Sequence, residues 1–96
     1  MIEIRETKVY ALWFSSLRDR RAKARIDTRI RRLSLGNPGD VKPVGSGVSE
    51  LRIDYGPGYR IYFIQCGSTL IVLLAGGDKR TQQQDIAQAI ELARDL

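Results

Sequence analysis

The sequence contains no histidine and only one cysteine, Cys66. Without histidine, the chain lacks the usual general acid–base at neutral pH and the commonest metal ligand. A lone cysteine cannot form an internal disulfide, which favours a reducing compartment. No apolar run approaches the roughly 18 residues of a membrane span, and the alternating charges of the first residues do not resemble a signal peptide. We therefore expect a cytoplasmic protein with no membrane association, no metal and no cofactor.

Positive charge is abundant and unevenly distributed. The chain carries 16 basic and 11 acidic residues, a formal net charge of +5. The segment from Arg18 to Arg32 alone holds eight basic and two acidic residues, so it contributes more than the whole excess. A basic balance of this kind points to an anionic partner.

The length and the patterning predict one α+β domain over residues 1–96. An apolar fraction of 43% in 96 residues suits a single globular unit. Alternating and apolar runs predict the order β-α-α-β-β-β-α, a small antiparallel sheet with helices packed on one side. The four predicted strands are Ile2–Arg5, Ser49–Tyr55, Tyr59–Cys66 and Thr69–Ala75, the last of them ended by Gly76-Gly77.

Three helices are predicted from their start signals. Thr7 is a plausible N-cap for a helix over about Lys8–Leu17, and Asp19 for a second helix to about Leu35. Thr81, followed three residues later by a glutamine, matches a capping box before a final helix that runs to near Leu96. Trp13 is interpreted as a core anchor rather than a base-stacking platform. The glycine-rich stretch from 36 to 47 is predicted to be an irregular loop.

A stripe of arginines follows one flank of the second predicted helix. Its members recur at intervals of three and four residues, which places them on the same side: Arg18, Arg21, Arg25, Arg29 and Arg32. Like charges at this spacing repel by a few tenths of a kcal/mol per pair, so a function offsets the cost. Binding of a nucleic acid, with release of counterions, is the favoured interpretation. An acidic protein partner and a plain solvated face are the alternatives.

Four cations surround the predicted sheet: Arg52, Arg60, Lys79 and Arg80. The first two flank one turn, and the last two follow the last strand at a helix N-terminus, which favours anions. Guanidinium groups bind phosphate through two parallel hydrogen bonds and remain charged at any cellular pH. The spacing therefore predicts a phosphate clamp. The alternative is a set of surface charges paired with Glu50, Asp54 or Asp78.

The runs GVSELRIDYGPGYRIYF and LLAGGDKRTQQQDIAQAIELA carry a closer likeness. They resemble the phage-derived Gp49-like, or HigB-type, addiction-module killer proteins of the RelE/ParE toxin superfamily. The most specific pieces are S-E-L-R-I, G-P-G-Y-R and G-G-D-K-x-T-Q-Q.

The resemblance implies a RelE-like fold and a toxin that cuts mRNA, often on the ribosome, without a metal. A cognate helix-turn-helix antitoxin is the implied partner. The ribose 2′-OH would attack the adjacent phosphate and leave a 2′,3′-cyclic phosphate. The residues assigned to catalysis on this basis are Arg52, Arg60, Lys79, Arg80 and Glu50. Those assigned to mRNA or rRNA contact are Arg18, Arg21, Arg25, Arg29, Arg32, Lys42 and Tyr59.

The chain departs from some relatives near its C-terminal end, where they place a histidine or a tyrosine for proton transfer. Here the segment reads TQQQDIAQAI and contains neither. Glu50 comes first among the remaining candidates, which include Tyr55, Tyr59 and Lys79, although a salt bridge to an arginine is an equal interpretation. A non-catalytic ParE-like inhibitor of DNA gyrase, on the same fold, is therefore the alternative function. A degenerate RNA-binding module without toxicity is the third hypothesis.

Overall fold

The computed structural model describes residues 1–96 as five strands and three α-helices. The strands are β1 Glu3–Glu6, β2 Val41–Gly45, β3 Val48–Ile53, β4 Tyr59–Cys66 and β5 Leu70–Asp78. The helices are α1 Lys8–Ser16, α2 Arg20–Ser34 and α3 Gln82–Arg94, the last preceded by a 3-10 turn at Lys79–Thr81. The predicted α+β class is confirmed, and the arrangement is compatible with the RelE-like fold. No helix has the length and apolarity required to cross a bilayer.

The sheet is mixed rather than purely antiparallel as predicted. Its order is β1-β5-β4-β3-β2, and β1 pairs in parallel with β5 while the other neighbours are antiparallel. The stretch predicted as a loop contains β2, an extra strand on the sheet edge. Pro43 and Gly45 are unfavourable in a strand, so the sequence does not predict one here. An edge strand tolerates a residue without an N–H, and the pairing register with β3 shifts between these two residues.

Strand β5 continues through Gly76-Gly77, where the sequence predicted its end. A Cβ at Gly76 would overlap the ring of Trp13 in α1, and one at Gly77 would overlap the carboxylate of Asp85 in α3. The two glycines therefore allow close approach of a helix on each face. Trp13 packs on the sheet and contacts Tyr10 with ring centroids 5.8 Å apart, which confirms its interpretation as a core anchor.

Helices cover both faces of the sheet, not one as predicted. On the first face, α1 and α2 pack against a core of nine buried residues, among them Ile26, Leu51 and Ile61. On the second face, α3 packs against a smaller core around Leu74 and Ala89. Strand β5 is apolar on both sides, with Ile71 and Leu73 in one core and Val72 and Leu74 in the other, so each side requires a cover. We call these the α1/α2 face and the α3 face.

All three helix starts agree with the sequence, with Thr7, Asp19 and Thr81 as the N-cap residues. The Thr7 side chain accepts a hydrogen bond from the Tyr10 N–H, and Asp19 accepts from the N–H groups of Arg21 and Ala22. Thr81 is the N-cap residue of α3 as predicted, but the hydrogen bonds of a capping box are absent, because its hydroxyl donates instead to Asp85 at 2.6 Å. Asp78 caps the preceding 3-10 turn.

Candidate functional site

Arg52 and Arg60 lie side by side on the α3 face of the β3–β4 hairpin. They are direct cross-strand partners in the register, as the predicted clamp requires. Like charges placed directly opposite each other in a sheet are destabilising. Each arginine accordingly has its own carboxylate, Asp40 for Arg52 and Glu50 for Arg60. The two pairs differ in burial and in geometry.

Arg52 belongs to a tight pair at the rim. Its Nη2 and Nε donate to the same Asp40 oxygen at 2.8 and 3.1 Å, and this hydrogen bonding lowers the pKa of the Asp40 carboxyl. Arg29 fixes the geometry, because it donates to the carbonyl of Arg52 at 2.7 Å and to that of Pro38 at 3.2 Å. Arg29, predicted to bind RNA, is therefore occupied in joining the loop before β2 to β3.

Arg60 belongs to a loose, buried pair. The residue is 8% exposed, and its Nε lies 3.8 Å from Oε1 of Glu50, beyond hydrogen-bond distance. Its one side-chain hydrogen bond, from Nη1 to the carbonyl of Tyr59, measures 3.4 Å, and Nε has no partner within the chain. A guanidinium has five N–H donors. Arg60 therefore keeps most of its hydrogen-bonding capacity for another acceptor.

Glu50 lies beneath Arg60 and is fully buried at 0% exposure. Its Oε2 accepts a hydrogen bond of 2.8 Å from the side-chain amide of Gln82 at the start of α3. Tyr62 is its cross-strand partner, and burial, aided by the nearby Glu50 charge, raises the pKa of the Tyr62 hydroxyl well above its ordinary value. The predicted role of Glu50 in proton transfer requires access to substrate. Its burial instead fits the alternative interpretation, the ion pair with Arg60.

Lys79 completes a small cavity on this face. Its aliphatic stem crosses Gly58, where a Cβ would stand 2.8 Å from the lysine Cε, so the turn glycine makes room for it. The Lys79 N–H also donates to the Gly58 carbonyl at 3.1 Å. The cavity has a volume of about 190 Å³ and is lined by Arg52, Arg60 and Lys79 together with Asp40, Ile53, Asp54 and Gly58. We call it the clamp cavity.

Arg80 does not line the clamp cavity. It forms a two-pronged contact with Asp78 at 2.8 and 3.2 Å, and its side chain is 80% exposed. The hydrogen bond from Arg80 lowers the pKa of the Asp78 carboxyl. The structure thus brings together three of the four cations predicted for the clamp and pairs the fourth elsewhere.

The stripe on α2 borders a larger groove of about 570 Å³. Arg21, Arg25, Arg29 and Arg32 line it, and Arg25 lies 4.6 Å from the centre of the Tyr55 ring. Arg18 precedes α2 and is exposed without lining the groove. The groove and the clamp cavity share Ile53 and Asp54 in their walls, so the two sites adjoin. We call the larger one the arginine groove.

The remaining predicted contacts lie apart from the clamp cavity. Tyr59 is on the α1/α2 face, where its ring meets the edge of Trp13 at a centroid distance of 6.3 Å. Lys42 is exposed on β2 and is the register partner of Glu50. Neither side chain lines the cavity.

Sequence reasoning missed two residues that the site depends on. Asp40 lies in a loop 12 positions before Arg52, and no periodicity connects the two. Gln82 was assigned to the first turn of a helix, and only the packing of α3 shows that its amide reaches Glu50. No three histidine, cysteine, aspartate or glutamate side chains converge where they could share a metal ion.

Comparison with known proteins gives two matches. Residues 12–96 match the family described as phage-derived protein Gp49-like (DUF891). The chain is also similar to an uncharacterized protein of Haemophilus influenzae, with 50% identity over 95 residues, covering 99% of this chain and 96% of the relative.

Proposed function

This chain belongs to the phage-derived Gp49-like family of RelE/HigB-type toxins, and we propose that it is a metal-independent endoribonuclease that cleaves mRNA at the ribosome. The family implies a toxin of a toxin–antitoxin module and hence an antitoxin partner. The finer steps, cleavage of mRNA, action on the ribosome and a helix-turn-helix antitoxin, are our proposal.

The unused donors of Arg60 are the observation that carries this proposal. A nearly buried guanidinium with one weak hydrogen bond is costly unless another acceptor completes it. Phosphate oxygens are the acceptors that match its planar fork. Arg52 and Lys79 face the same cavity, so three positive charges surround the position of a bound phosphate. Charge that develops on the phosphate during cleavage is stabilised most where donors are fixed in advance.

The chemistry that fits this arrangement is an in-line transfer within the RNA. The 2′-OH attacks the adjacent phosphorus and loses its proton to solvent. The bond from phosphorus to the 5′-oxygen breaks, which leaves a 2′,3′-cyclic phosphate and a 5′-OH end. Arg60 binds a non-bridging oxygen, and Arg52 joins when its hydrogen bonds shift from Asp40 to the phosphate. Lys79 is the proton-transfer candidate that lines the cavity, and it delivers the proton to the leaving 5′-oxygen.

The arginine groove extends the RNA contact beyond the reacting phosphate. Because it shares Ile53 and Asp54 with the clamp cavity, a single strand bound in one site continues into the other. Arg21, Arg25 and Arg32 line the groove without side-chain hydrogen bonds to the protein, unlike Arg29. They are therefore assigned to contact with mRNA or rRNA, with Arg18 and Lys42 as outlying cations.

The decisive experiment compares Arg60→Lys with Arg60→Ala in ribosomes translating a defined message. Lysine keeps a positive charge beside Glu50 but loses the planar fork, so the fold is retained while cleavage falls. We expect a loss of about 100-fold, as is typical when one fixed donor to a developing oxyanion is removed. Primer extension locates the cuts, and a 2′,3′-cyclic phosphate identifies the chemistry. Arg94→Lys, at an exposed position in α3, is the matched control.

Full cleavage by both folded Arg60 variants would contradict the clamp. The burial of Glu50 favours one alternative, a non-catalytic inhibitor of DNA gyrase, because the strongest carboxylate candidate for proton transfer does not reach the surface. Induction in cells separates the two functions. Rapid loss of protein synthesis with positioned mRNA cuts supports the nuclease, whereas double-strand DNA breaks with intact mRNA would establish the inhibitor.

A further inference from the structure

We propose that Glu50 and Gln82 are positioning residues that orient the Arg60 guanidinium towards the clamp cavity. The inference rests on the proposed function for its importance to cleavage, but its structural part stands independently. It assigns to Gln82 a role that no motif in the sequence indicates. It also gives Glu50 a role that does not require contact with substrate.

The geometry that supports this role is a chain of three side chains across two elements. Gln82, at the first position of α3, donates to Oε2 of Glu50 on β3 at 2.8 Å. The other oxygen, Oε1, faces Nε of Arg60 on β4 at 3.8 Å. The amide thus fixes one oxygen of the carboxylate and leaves the other directed at the arginine. The docking of α3 is in this way connected to the direction of the guanidinium.

The unpaired polar atoms of the protein are concentrated at the same place. Four buried side-chain atoms have no hydrogen-bond partner within the chain, and three of them are Oε1 of Glu50, Nε of Arg60 and the hydroxyl of Tyr62. Burying polar atoms without partners is unfavourable. Their clustering around one carboxylate indicates an arrangement in which Glu50 attracts Arg60 without occupying its hydrogen-bond donors. A closer contact would use the Nε donor and pull the guanidinium into the sheet.

The contrast with Arg52 explains why a buried carboxylate suits this task. Asp40 binds Arg52 through two hydrogen bonds and competes with any phosphate for the same donors. Glu50 attracts Arg60 by charge alone, at a distance that leaves its hydrogen-bond donors free. Because Glu50 is fully buried and Arg60 is only 8% exposed, such attraction is stronger than at the surface. Glu50 therefore orients the Arg60 guanidinium without forming a direct hydrogen bond to it.

The first test measures Arg60 itself and requires no cleavage. In the isotope-labelled full chain, the Nε–H resonances of Arg60 and Arg52 are followed in Glu50→Gln and Gln82→Ala, with Glu91→Gln and Gln88→Ala as exposed controls on α3. We expect the Arg60 resonance to shift and its solvent exchange to accelerate several-fold in both test variants. The Arg52 resonance and both controls should not change. An unmoved Arg60 resonance in the folded variants overturns the proposal.

The second test separates positioning from simple stabilisation. We expect Glu50→Gln to lower kcat for RNA cleavage about tenfold with KM within about twofold, since the substrate does not touch Glu50. In an Arg60→Lys background the same change should lower kcat by less than about twofold, because the group to be oriented is gone. If the fold-losses in kcat of the two single variants multiply in the double variant, the proposal is wrong.

Two outcomes distinguish this inference from the proposed function. If the unaltered protein cuts no RNA but the Arg60 resonance moves as expected, the nuclease is wrong and the positioning role stands. If the protein cuts RNA and the resonance does not move, the nuclease stands and the positioning role is wrong. Should Glu50→Gln fail to fold, Gln82→Ala decides, because it retains the ion pair and removes only the amide.

Discussion

The two faces of the sheet differ in what they bury. The α1/α2 face holds nine buried core residues, all apolar or aromatic, and one buried polar atom without a partner, the Tyr10 hydroxyl. The α3 face holds six buried core residues and, beside them, the charged pair Glu50 and Arg60 with three unpartnered atoms. Apolar burial stabilises by about 25 cal/mol per Å², whereas a buried ion pair adds little net stability. The first face therefore contributes more to the stability of the fold, and the second combines a smaller core with the candidate site.

This division explains why the site does not require a large protein. Strand β4 presents Ile61 to the α1/α2 face and Arg60 and Tyr62 to the α3 face. Adjacent residues of one strand thus serve different purposes because successive side chains point to opposite sides. The apolar side of the strand packs into the larger core, which leaves positions on the other side for the charged pair.

The largest expected effect tests the apolar side directly. Ile61 is fully buried on the α1/α2 face, and Ile61→Ala should reduce the free energy of unfolding by about 2–5 kcal/mol. Ile64→Ala, on the same strand but half-buried on the α3 face, is the matched variant and should cost less than half as much. Urea unfolding followed by circular dichroism measures both. Equal losses would show that the faces contribute equally to stability.

The paired glycines of β5 give the next test. Gly76→Ala forces a methyl group into the ring of Trp13 on the α1/α2 face. We expect it to cost about 1–3 kcal/mol, since a packed aromatic ring has nowhere to move. Gly77→Ala meets the carboxylate of Asp85 and, at 3.2 Å, the hydroxyl of Thr81 on the α3 face, and both are side-chain ends that can rotate away. Gly76→Ala should therefore lower the thermal midpoint more than Gly77→Ala does, and the reverse order would contradict this prediction.

Local patterns in the sequence predicted much of this fold. The α2 range, the β4 range and the caps at Thr7 and Asp19 agree with the structure because each depends on residues close together in the chain. The errors have tertiary causes. Strand β5 passes through Gly76-Gly77 because two helices approach it closely, and β2 is a strand because an edge tolerates Pro43.

The sequence predicted which cations could form the candidate site, but only partly how they are arranged. The alternation of β3 and β4 was enough to place Arg52 and Arg60 on one face, and the register brings them together. Nothing local indicates that Arg80 turns to Asp78 or that Arg29 binds backbone carbonyls. Both outcomes depend on side-chain torsions and on loops whose partners lie far away in the chain. For the same reason, the sequence did not indicate that Gln82 contacts Glu50.

Two tyrosines, one on each face, give a smaller effect that separates stability from function. The hydroxyls of Tyr10 and Tyr62 are both buried without a partner, and burial raises the pKa of each. Tyr10→Phe and Tyr62→Phe should each raise the free energy of unfolding by about 1 kcal/mol, because an unsatisfied hydroxyl is removed. Tyr62→Phe alone should also lower RNA cleavage, since only that hydroxyl lies beside Glu50. A change in cleavage by Tyr10→Phe would contradict the division between the faces.

The smallest effect concerns two exposed aspartates whose pKa values are lowered for different reasons. A backbone hydrogen bond from Ala22 lowers the pKa of Asp19 at the start of α2, and the hydrogen bond from Arg52 lowers that of Asp40 at the clamp rim. A lowered folded-state pKa stabilises the protein above the ordinary value of about 3.9 and stops doing so as the pH falls through the folded value. Both contributions should therefore fade on acidification below about pH 4.

Salt should distinguish these two carboxylates. The Asp40–Arg52 pair is an exposed ion pair, which salt screens, whereas Asp19 accepts hydrogen bonds of 2.9 and 3.2 Å from helix N–H groups. Asp40→Asn should therefore remove part of the salt dependence of the urea midpoint at pH 7. Asp19→Asn should leave it unchanged, because asparagine also caps helices. The comparison requires urea midpoints at about 0.05 and 0.5 M sodium chloride. If Asp40→Asn keeps the full salt dependence, Arg52 is not neutralised by Asp40 in solution, and its guanidinium is as free as that of Arg60 to bind phosphate.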